Sequence, residues 1–320
     1  MPKLSVCVPT YNRSKYLAEC LESIMSSAKG FEGAVEIIVS DNCSEDDTPA
    51  VMARFCEAYP WIRYHRNNEN IGGERNFRVL VEMASADHIW IFCDDDKMTP
   101  EAIPSVLSQI EAGYDLIVCN FSVWSQDFSV RRKPWRFSPS KGMTFDNPND
   151  LMKSFGVHLG YAPLTVSRRP RFLELPVAEY EQFVCYGFPH MYALYYGMHP
   201  DGRAVYIPEP LFCNRADNWG SFDWYKVFVT GSSLIFQALL KKGYTPDAVL
   251  AGKHEVIRDF VIRDILVRKR DGKSVKGLFT IMYPHYNRNW LFWLGCVPAL
   301  LAPRSLVRVA YKSVKRFHKA

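Results

Sequence analysis

The feature that most restricts the fold of this chain is the alternation of segment types along its first 120 residues. Short apolar runs at 4–9, 35–40, 62–65, 88–92 and 116–119 read as buried strands. Between them, apolar residues recur at helical spacing. Leu17, Cys20, Leu21, Ile24 and Met25 form one such stripe, and Val51, Met52 and Phe55 a second. Phe77, Leu80 and Val81 mark a helix over about residues 74–84, and Ile103, Val106, Leu107 and Ile110 a fourth. Thr48 and Thr99 are placed to cap two of these helices, with Pro49 at the first helical position. The alternation predicts an α/β chain with a largely parallel, Rossmann-like sheet covered by helices on both faces. Such sheets bind ligands beyond the carboxyl ends of their strands. The loops that follow each strand are therefore where chemistry is sought.

The remainder is less regular. Residues 121–220 are rich in aromatics, Pro and Arg, with short strands predicted at 164–167 and 204–207. A helical pattern returns from 225 to about 270, carried by Phe228, Ser232, Ile235 and Leu239. Nine cysteines stand without a C-x-x-C pair, so neither a zinc site nor a disulfide framework is indicated, and a reducing compartment is expected. The first residues turn polar too soon for a secretory signal, which points to the cytoplasm.

Four strand-end loops carry the motifs. The first reads Pro9-Thr10-Tyr11-Asn12 rather than G-x-G-x-x-G, which argues against a dinucleotide-binding dehydrogenase. The second contains Asp41, able either to accept from a ribose or base edge or simply to cap a turn. The third, Asn70-Ile71-Gly72-Gly73-Glu74-Arg75-Asn76, opens a helix with two glycines, so backbone can approach a ligand closely. Arg75 and Asn76 are suited to phosphate or sugar; an ordinary turn is the alternative. The fourth is Asp94-Asp95-Asp96, directly after the apolar run IWIFC. At ~4 Å and an effective dielectric of ~20, each close carboxylate pair costs about 4 kcal/mol. A divalent cation removes that repulsion, and Mg²⁺ or Mn²⁺ prefers carboxylate and phosphate oxygens. The competing reading is a solvated acidic turn.

A V-P-T-Y-N start, an acid after the second strand, an N-x-G…R-N stretch and a D-x-D motif thus occur in order. On these landmarks the first ~120 residues resemble the family 2 glycosyltransferases of the GT-A fold. The resemblance implies a nucleotide-sugar donor with its base and ribose near Pro9, Tyr11 and Asp41, and Asn70 and Arg75 in the same donor site. It further implies a metal held by Asp94 and Asp96 against the diphosphate, with Asp95 nearer the donor sugar in a catalytic position. Farther on, Gly160-Tyr161, Phe188-Pro189-His190 and Ile207-Pro208-Glu209-Pro210-Leu211 resemble O-antigen glycosyltransferases of the abequosyltransferase type. Those move a dideoxyhexose from a CDP donor to a lipid-linked, undecaprenyl-diphosphate-borne oligosaccharide.

On this reading residues 1–120 bind the nucleotide sugar, 121–224 form the acceptor half of the same catalytic domain, and 225–320 are C-terminal helices. Many relatives place an aspartate where this chain reads Phe188-Pro189-His190-Met191. His190 is then the candidate base, with Glu179 and Glu181 as rivals, and the missing acid leaves inversion of configuration open. Arg215 is a candidate diphosphate clamp or a structural ion pair. Tyr161, Asn218 and Trp219 are candidates for a sugar pocket or for simple packing. Donors based on UDP or dTDP remain alternatives, as does a non-catalytic nucleotide-sugar-binding scaffold. A sugar nucleotidyltransferase is disfavoured by the absence of a Gly-rich, basic loop after the first strand.

The net charge of +5 conceals a division. Residues 272–320 carry nine basic and no acidic side chains, which leaves 30 basic against 34 acidic in residues 1–271. Nucleic acid is not an expected partner for a body of that sign. The run LFWLGCVPALLA is twelve residues long, about 18 Å as a helix, and too short to span a membrane. Beyond it, Val307, Ala310, Tyr311, Val314 and Phe317 recur at helical spacing, with Arg304, Arg308, Lys312, Lys315, Arg316 and Lys319 mainly on other faces. This pattern suits an interfacial helix on an anionic membrane surface, hence peripheral attachment to the inner face of the cell membrane. A helix docked on the protein itself is the alternative.

Overall fold

In the computed structural model the described residues are 1–137, 142–216 and 223–308. The chain divides into two compact units, Met1–Pro148 with His158–Ser221, and Asn149–Val157 with Phe222–Ala320. The expected middle segment of 121–224 therefore gives up residues 149–157 to the second unit.

The first unit holds the sheet. It runs β1 (Leu4–Thr10), α1 (Ser14–Ala28), β2 (Val35–Asp41), α2 (Thr48–Ala58), β3 (Ile62–Arg66) and α3 (Gly73–Met83). There follow β4 (His88–Ile91), β5 (Lys97–Met98), α4 (Ala102–Glu111), β6 (Leu116–Trp124), β7 (Arg131–Lys133) and β8 (Met143–Phe145). After α5 (Pro148–Phe155), which belongs to the second unit from Asn149 on, the first unit continues with β9 (Thr165–Arg168), α6 (Arg169–Leu173), α7 (Val177–Val184), α8 (Pro189–Met198) and β10 (Ala204–Arg215).

The strand order is β3-β2-β1-β4-β9-β6-β10-β5, with β7 beside β6 and β8 beside β10. β1, β2, β3 and β4 pair in parallel, as do β6 and β10. β9 lies antiparallel between β4 and β6, so those two strands also run the same way. Six strands thus share one direction and their carboxyl ends share one edge. β2 is buried at every position and β4 likewise, which requires cover on both sheet faces. The predicted stripe of α1 is realised, with Leu17, Cys20, Leu21 and Ile24 buried.

Two caps differ from expectation. Thr48 is the first helical residue of α2, and the Asp46 carboxylate accepts from both its N–H (3.0 Å) and its hydroxyl (2.6 Å). At α4 the N-cap is Glu101, and the buried Thr99 hydroxyl has no hydrogen-bond partner among the described residues. An acid two residues earlier outcompetes the hydroxyl in the first case. β10 also runs on past residue 207. Pro208 and Pro210 cannot donate to the ladder, and its register against β6 shifts at Ile207/Pro210 and again at Pro210/Phe212. Pairing then resumes as far as Arg215 against Trp124. Beneath these strand ends, Trp90, Phe92, Phe212 and Phe121 form an aromatic chain with centroids 5.5, 5.6 and 5.0 Å apart.

The second unit is helical: α9 (Ser232–Leu240), α10 (Pro246–Glu255), α11 (Ile262–Arg270), α12 (Leu278–Tyr286) and α13 (Val297–Leu301). Lys226–Gly231, Val256–Val261 and Phe292–Cys296 are π-helical. No helix among the described residues is long and apolar enough to cross a membrane. Of the basic end, Val307 is buried and Arg304 and Arg308 are exposed. Ala310, Tyr311, Lys312, Val314, Lys315, Arg316, Phe317 and Lys319 lie outside the described residues, as do Asn218 and Trp219. All nine cysteines are free thiols.

Candidate active site

The strand order reverses between β1 and β4, because β2 lies on one side of β1 and β4 on the other. A crevice opens at such a point beyond the carboxyl ends. Here it is walled by the acidic triplet. Asp94 turns toward β1: the Thr10 hydroxyl donates to its Oδ2 (2.8 Å) and Arg13 Nη1 to its Oδ1 (3.0 Å). The same guanidinium nitrogen lies 3.3 Å from Asp95 Oδ2. Asp96 turns the other way. It accepts from the Tyr161 hydroxyl, from Asn214 Nδ2 (3.3 Å) and from the Arg215 backbone N–H (2.9 Å). Asp94 and Asp96 are thus held by different partners, while Asp95 shares the Arg13 guanidinium with Asp94.

Burial dominates their electrostatics. Asp94, Asp95 and Asp96 are only 4, 8 and 1% exposed. Loss of water pushes the Asp94 carboxyl up to about 6 and, together with the neighbouring Asp95 charge, that of Asp96 up to about 8. Two buried carboxyls that resist ionisation alone are a suitable setting for a divalent cation. Cys93 Sγ and oxygens of Asp95 and Asp96 lie within 4.8 Å of one another. Burial holds the Cys93 thiol far above its ordinary value, so it remains protonated, and the carboxylate oxygens are the hard donors that Mg²⁺ or Mn²⁺ takes.

Arg215 is 5% exposed and engaged at all three nitrogens. Nε donates to the Asp95 carbonyl (2.9 Å), Nη1 to the Gln126 carbonyl and Nη2 to Glu19 (2.9 Å). Its Cζ lies over the rings of Tyr16 and Phe128, 4.6 and 4.2 Å from their centroids. The guanidinium therefore braces the triplet's backbone. Asp41 is fully buried. Its carboxylate accepts from the Ser44 N–H (2.8 Å) and the Tyr64 hydroxyl (2.8 Å), with Arg66 Nε at 3.4 Å. Asn70 Oδ1 accepts from Asn42 Nδ2 (2.7 Å) and the Gly72 N–H (3.0 Å). Asn67 and Asn76 extend this network to Ser40. It fixes the loops after β2 and β3 against each other.

Pro9, Asp41, Asn70, Asp94, Asp95, Asp96 and Arg215 are accordingly assembled at one sheet edge, with Tyr11 exposed beside them (42%). Arg75 and Glu181 meet each other instead, in a two-pronged ion pair with a 2.7 Å contact between α3 and α7. Glu179 accepts from the Tyr192 hydroxyl (2.9 Å). His190 is enclosed at 5% exposure, its Nε2 paired at 2.8 Å with the Gly160 carbonyl, its ring edge-on to Phe77. Burial pushes its imidazole down to about 4. Thr10 and Arg13 escaped the sequence reading as carboxylate partners, although both adjoin the Tyr11-Asn12 signature. Glu19 and Gln126 carry no motif at all.

Residues 5–191 match the family described as Glycosyl transferase family 2. Abequosyltransferase RfbV of Salmonella typhimurium is 28% identical over 226 residues, 67% of this chain and 67% of its own length. The GalNAc(5)-diNAcBac-PP-undecaprenol beta-1,3-glucosyltransferase of Campylobacter jejuni is 35% identical over 115 residues, 36% of each protein. The chain thus spans two thirds of one relative and about a third of the other. S. aureus TarS 1-349, solved with UDP-GlcNAc, superposes with a TM-score of 0.66 at 14% identity, covering 97% of this chain and 92% of that one. The mannosyltransferase PcManGT from Pyrobaculum calidifontis, solved with GDP-Man and Mn²⁺, gives 0.53 at 15% identity, over 96% and 83%. At such identities these structures establish a common fold, the GT-A arrangement expected from the sequence.

Proposed function

This chain belongs to glycosyl transferase family 2 and is a glycosyltransferase; from that premise we propose that it extends a lipid-linked oligosaccharide with a sugar from a nucleotide-diphosphate donor, at Mg²⁺ or Mn²⁺ held by Asp94 and Asp96. The observation that supports the reading is the burial of three consecutive carboxyls just after β4, with oxygens of Asp95 and Asp96 within 4.8 Å of one another and Asp94 joined to Asp95 through Arg13. A CDP-dideoxyhexose such as CDP-abequose is the donor we favour, supported by the likeness to the Salmonella enzyme over two thirds of both chains. The undecaprenol-borne substrate in the name of the Campylobacter relative supports a lipid-linked acceptor, and so a place at the inner face of the membrane.

Transfer breaks the bond from the anomeric carbon to the diphosphate and forms one to an acceptor oxygen. A divalent cation held by Asp94 and Asp96 would supply positive charge to offset the negative charge gathering on the departing diphosphate. Thr10 and Arg13 hold Asp94, and Tyr161 and Asn214 hold Asp96, each leaving lone pairs on the carboxylate for a ligand. Pro9, Tyr11, Asp41 and Asn70 form the wall assigned to base and ribose. Among Asp95, His190 and Glu181 as acceptors of the hydroxyl proton, we place Asp95 first. It follows β4 at the strand-end edge that carries the other proposed site residues, whereas Glu181 lies on α7 in its pair with Arg75 and His190 is enclosed.

The test is Mn²⁺-dependent release of nucleoside diphosphate from a panel of CDP-, UDP- and dTDP-sugars. Asp94→Asn and Asp96→Asn should each lower kcat/KM for the active donor by about a hundredfold or more. Variants that turn over at the parental rate would remove the metal from these residues, and the donor that responds identifies the nucleotide.

A further inference from the structure

The described residues expose eighteen large apolar side chains, and eight of them fall between residues 279 and 306. At the centre of this cluster Phe279, Tyr283 and Trp293 are 41, 43 and 45% exposed. Their rings touch one another: Phe279 is 5.5 Å from Tyr283 and 6.4 Å from Trp293, and Tyr283 is 6.3 Å from Trp293. Buried Phe292 supports them from below, 5.6 Å from Phe279 and 5.2 Å from Trp293. The indole N–H of Trp293 donates to the Asn287 carbonyl at 2.7 Å. What this ring turns outward is therefore hydrocarbon. Contiguous apolar patches of this kind are rare on surfaces that face only water.

The charges around the patch select its occupant. Lys273, Lys276, Arg288, Arg304 and Arg308 are all exposed, and no Asp or Glu occurs anywhere from 272 to 320. A half-exposed aromatic cluster in a stretch whose charged side chains are all cations, with Asp271 just before it, complements an anionic bilayer surface, where rings enter the headgroup layer and cations meet lipid phosphates. A second copy of the chain would bring like charges together around the same rings. No described helix can span a bilayer. We infer that the surface formed by α12 and Trp293 inserts into the headgroup layer of an anionic membrane. This deepens the membrane placement proposed above and rests on it, but it names a surface formed before residue 309 rather than the basic end beyond.

Co-sedimentation of the full-length protein with phosphatidylglycerol/phosphatidylcholine vesicles tests the inference in the absence of any sugar donor. The parent should bind these vesicles and bind pure phosphatidylcholine at least tenfold more weakly. Phe279→Ser/Trp293→Ser should lower partitioning about tenfold or more through lost apolar burial. Lys276→Glu/Arg288→Glu should do likewise at low salt only. Nucleotide-sugar hydrolysis without vesicles stays parental in both variants, which separates lost binding from lost folding and from failure of the transferase reading. The inference fails if the serine pair sediments like the parent. It also fails if the parent ignores anionic vesicles, or if light scattering finds a dimer that the serine pair converts to monomers.

Discussion

At His190 the identity of a side chain and its surroundings pull apart. A histidine near neutral pKa makes a good general base, and the sequence puts one where the family resemblance implies an acid. In the fold its ring is closed in by Phe77 and Phe188, and Nε2 pairs with the carbonyl of the residue just before Tyr161, the partner of Asp96. His190→Gln preserves an N–H for Gly160 and should keep most turnover, while His190→Ala should lose about tenfold by freeing Tyr161. Equal losses would return the proton to the imidazole. The depressed value also has a stability consequence. The folded state holds the ring neutral down to about 4, whereas the unfolded chain protonates it near 6.5. The unfolded state then binds more protons between those values, so stability is complete above ~6.5 and is lost as pH falls toward 4. Urea unfolding at pH 7 and 4.5 should show the parent losing about 2–3 kcal/mol more than His190→Gln.

Elements were legible where their burial was simple. β1 to β4 lie within a residue of their predicted limits, and α1 buries most of its predicted stripe, because in these segments apolar residues and burial coincide. β6 and β10 extend farther than expected, since buried Asn120, Ser122 and Arg215 and half-buried Asn214 are polar residues held by hydrogen bonds rather than apolar ones. β9 is placed antiparallel between β4 and β6, an arrangement no local periodicity encodes. α8 gives no readable stripe for a related reason: it is buried almost all round. Its Gly197 lies so close to α6 that an added Cβ would stand 2.7 Å from the Arg171 carbonyl oxygen. Backbone cannot yield as a side-chain tip does. Gly197→Ala should therefore cost about 1–3 kcal/mol, measured by denaturant unfolding.

For the molecule as a whole, the division of charge seen in the sequence separates two kinds of chemistry. The mildly acidic part contains the buried triplet, and the basic stretch from 272 borders an aromatic surface. The gathering of the proposed donor-side residues at one sheet edge was readable because they lie in strand-end loops. The brace on the triplet was not, because its distances along the chain exceed a hundred residues: Arg215 reaches Asp95 and Asp96 from 120 and 119 positions away. That separation also orders events in time. Long-range contacts close late during folding. A chain grown as far as residue 96 already carries three adjacent acids, yet Tyr161, Asn214 and Arg215 are still to be synthesised. Asp96 gains all of these partners only once β10 has been laid beside β6, so the protein cannot acquire its charge-handling apparatus before nearly all of its first unit exists.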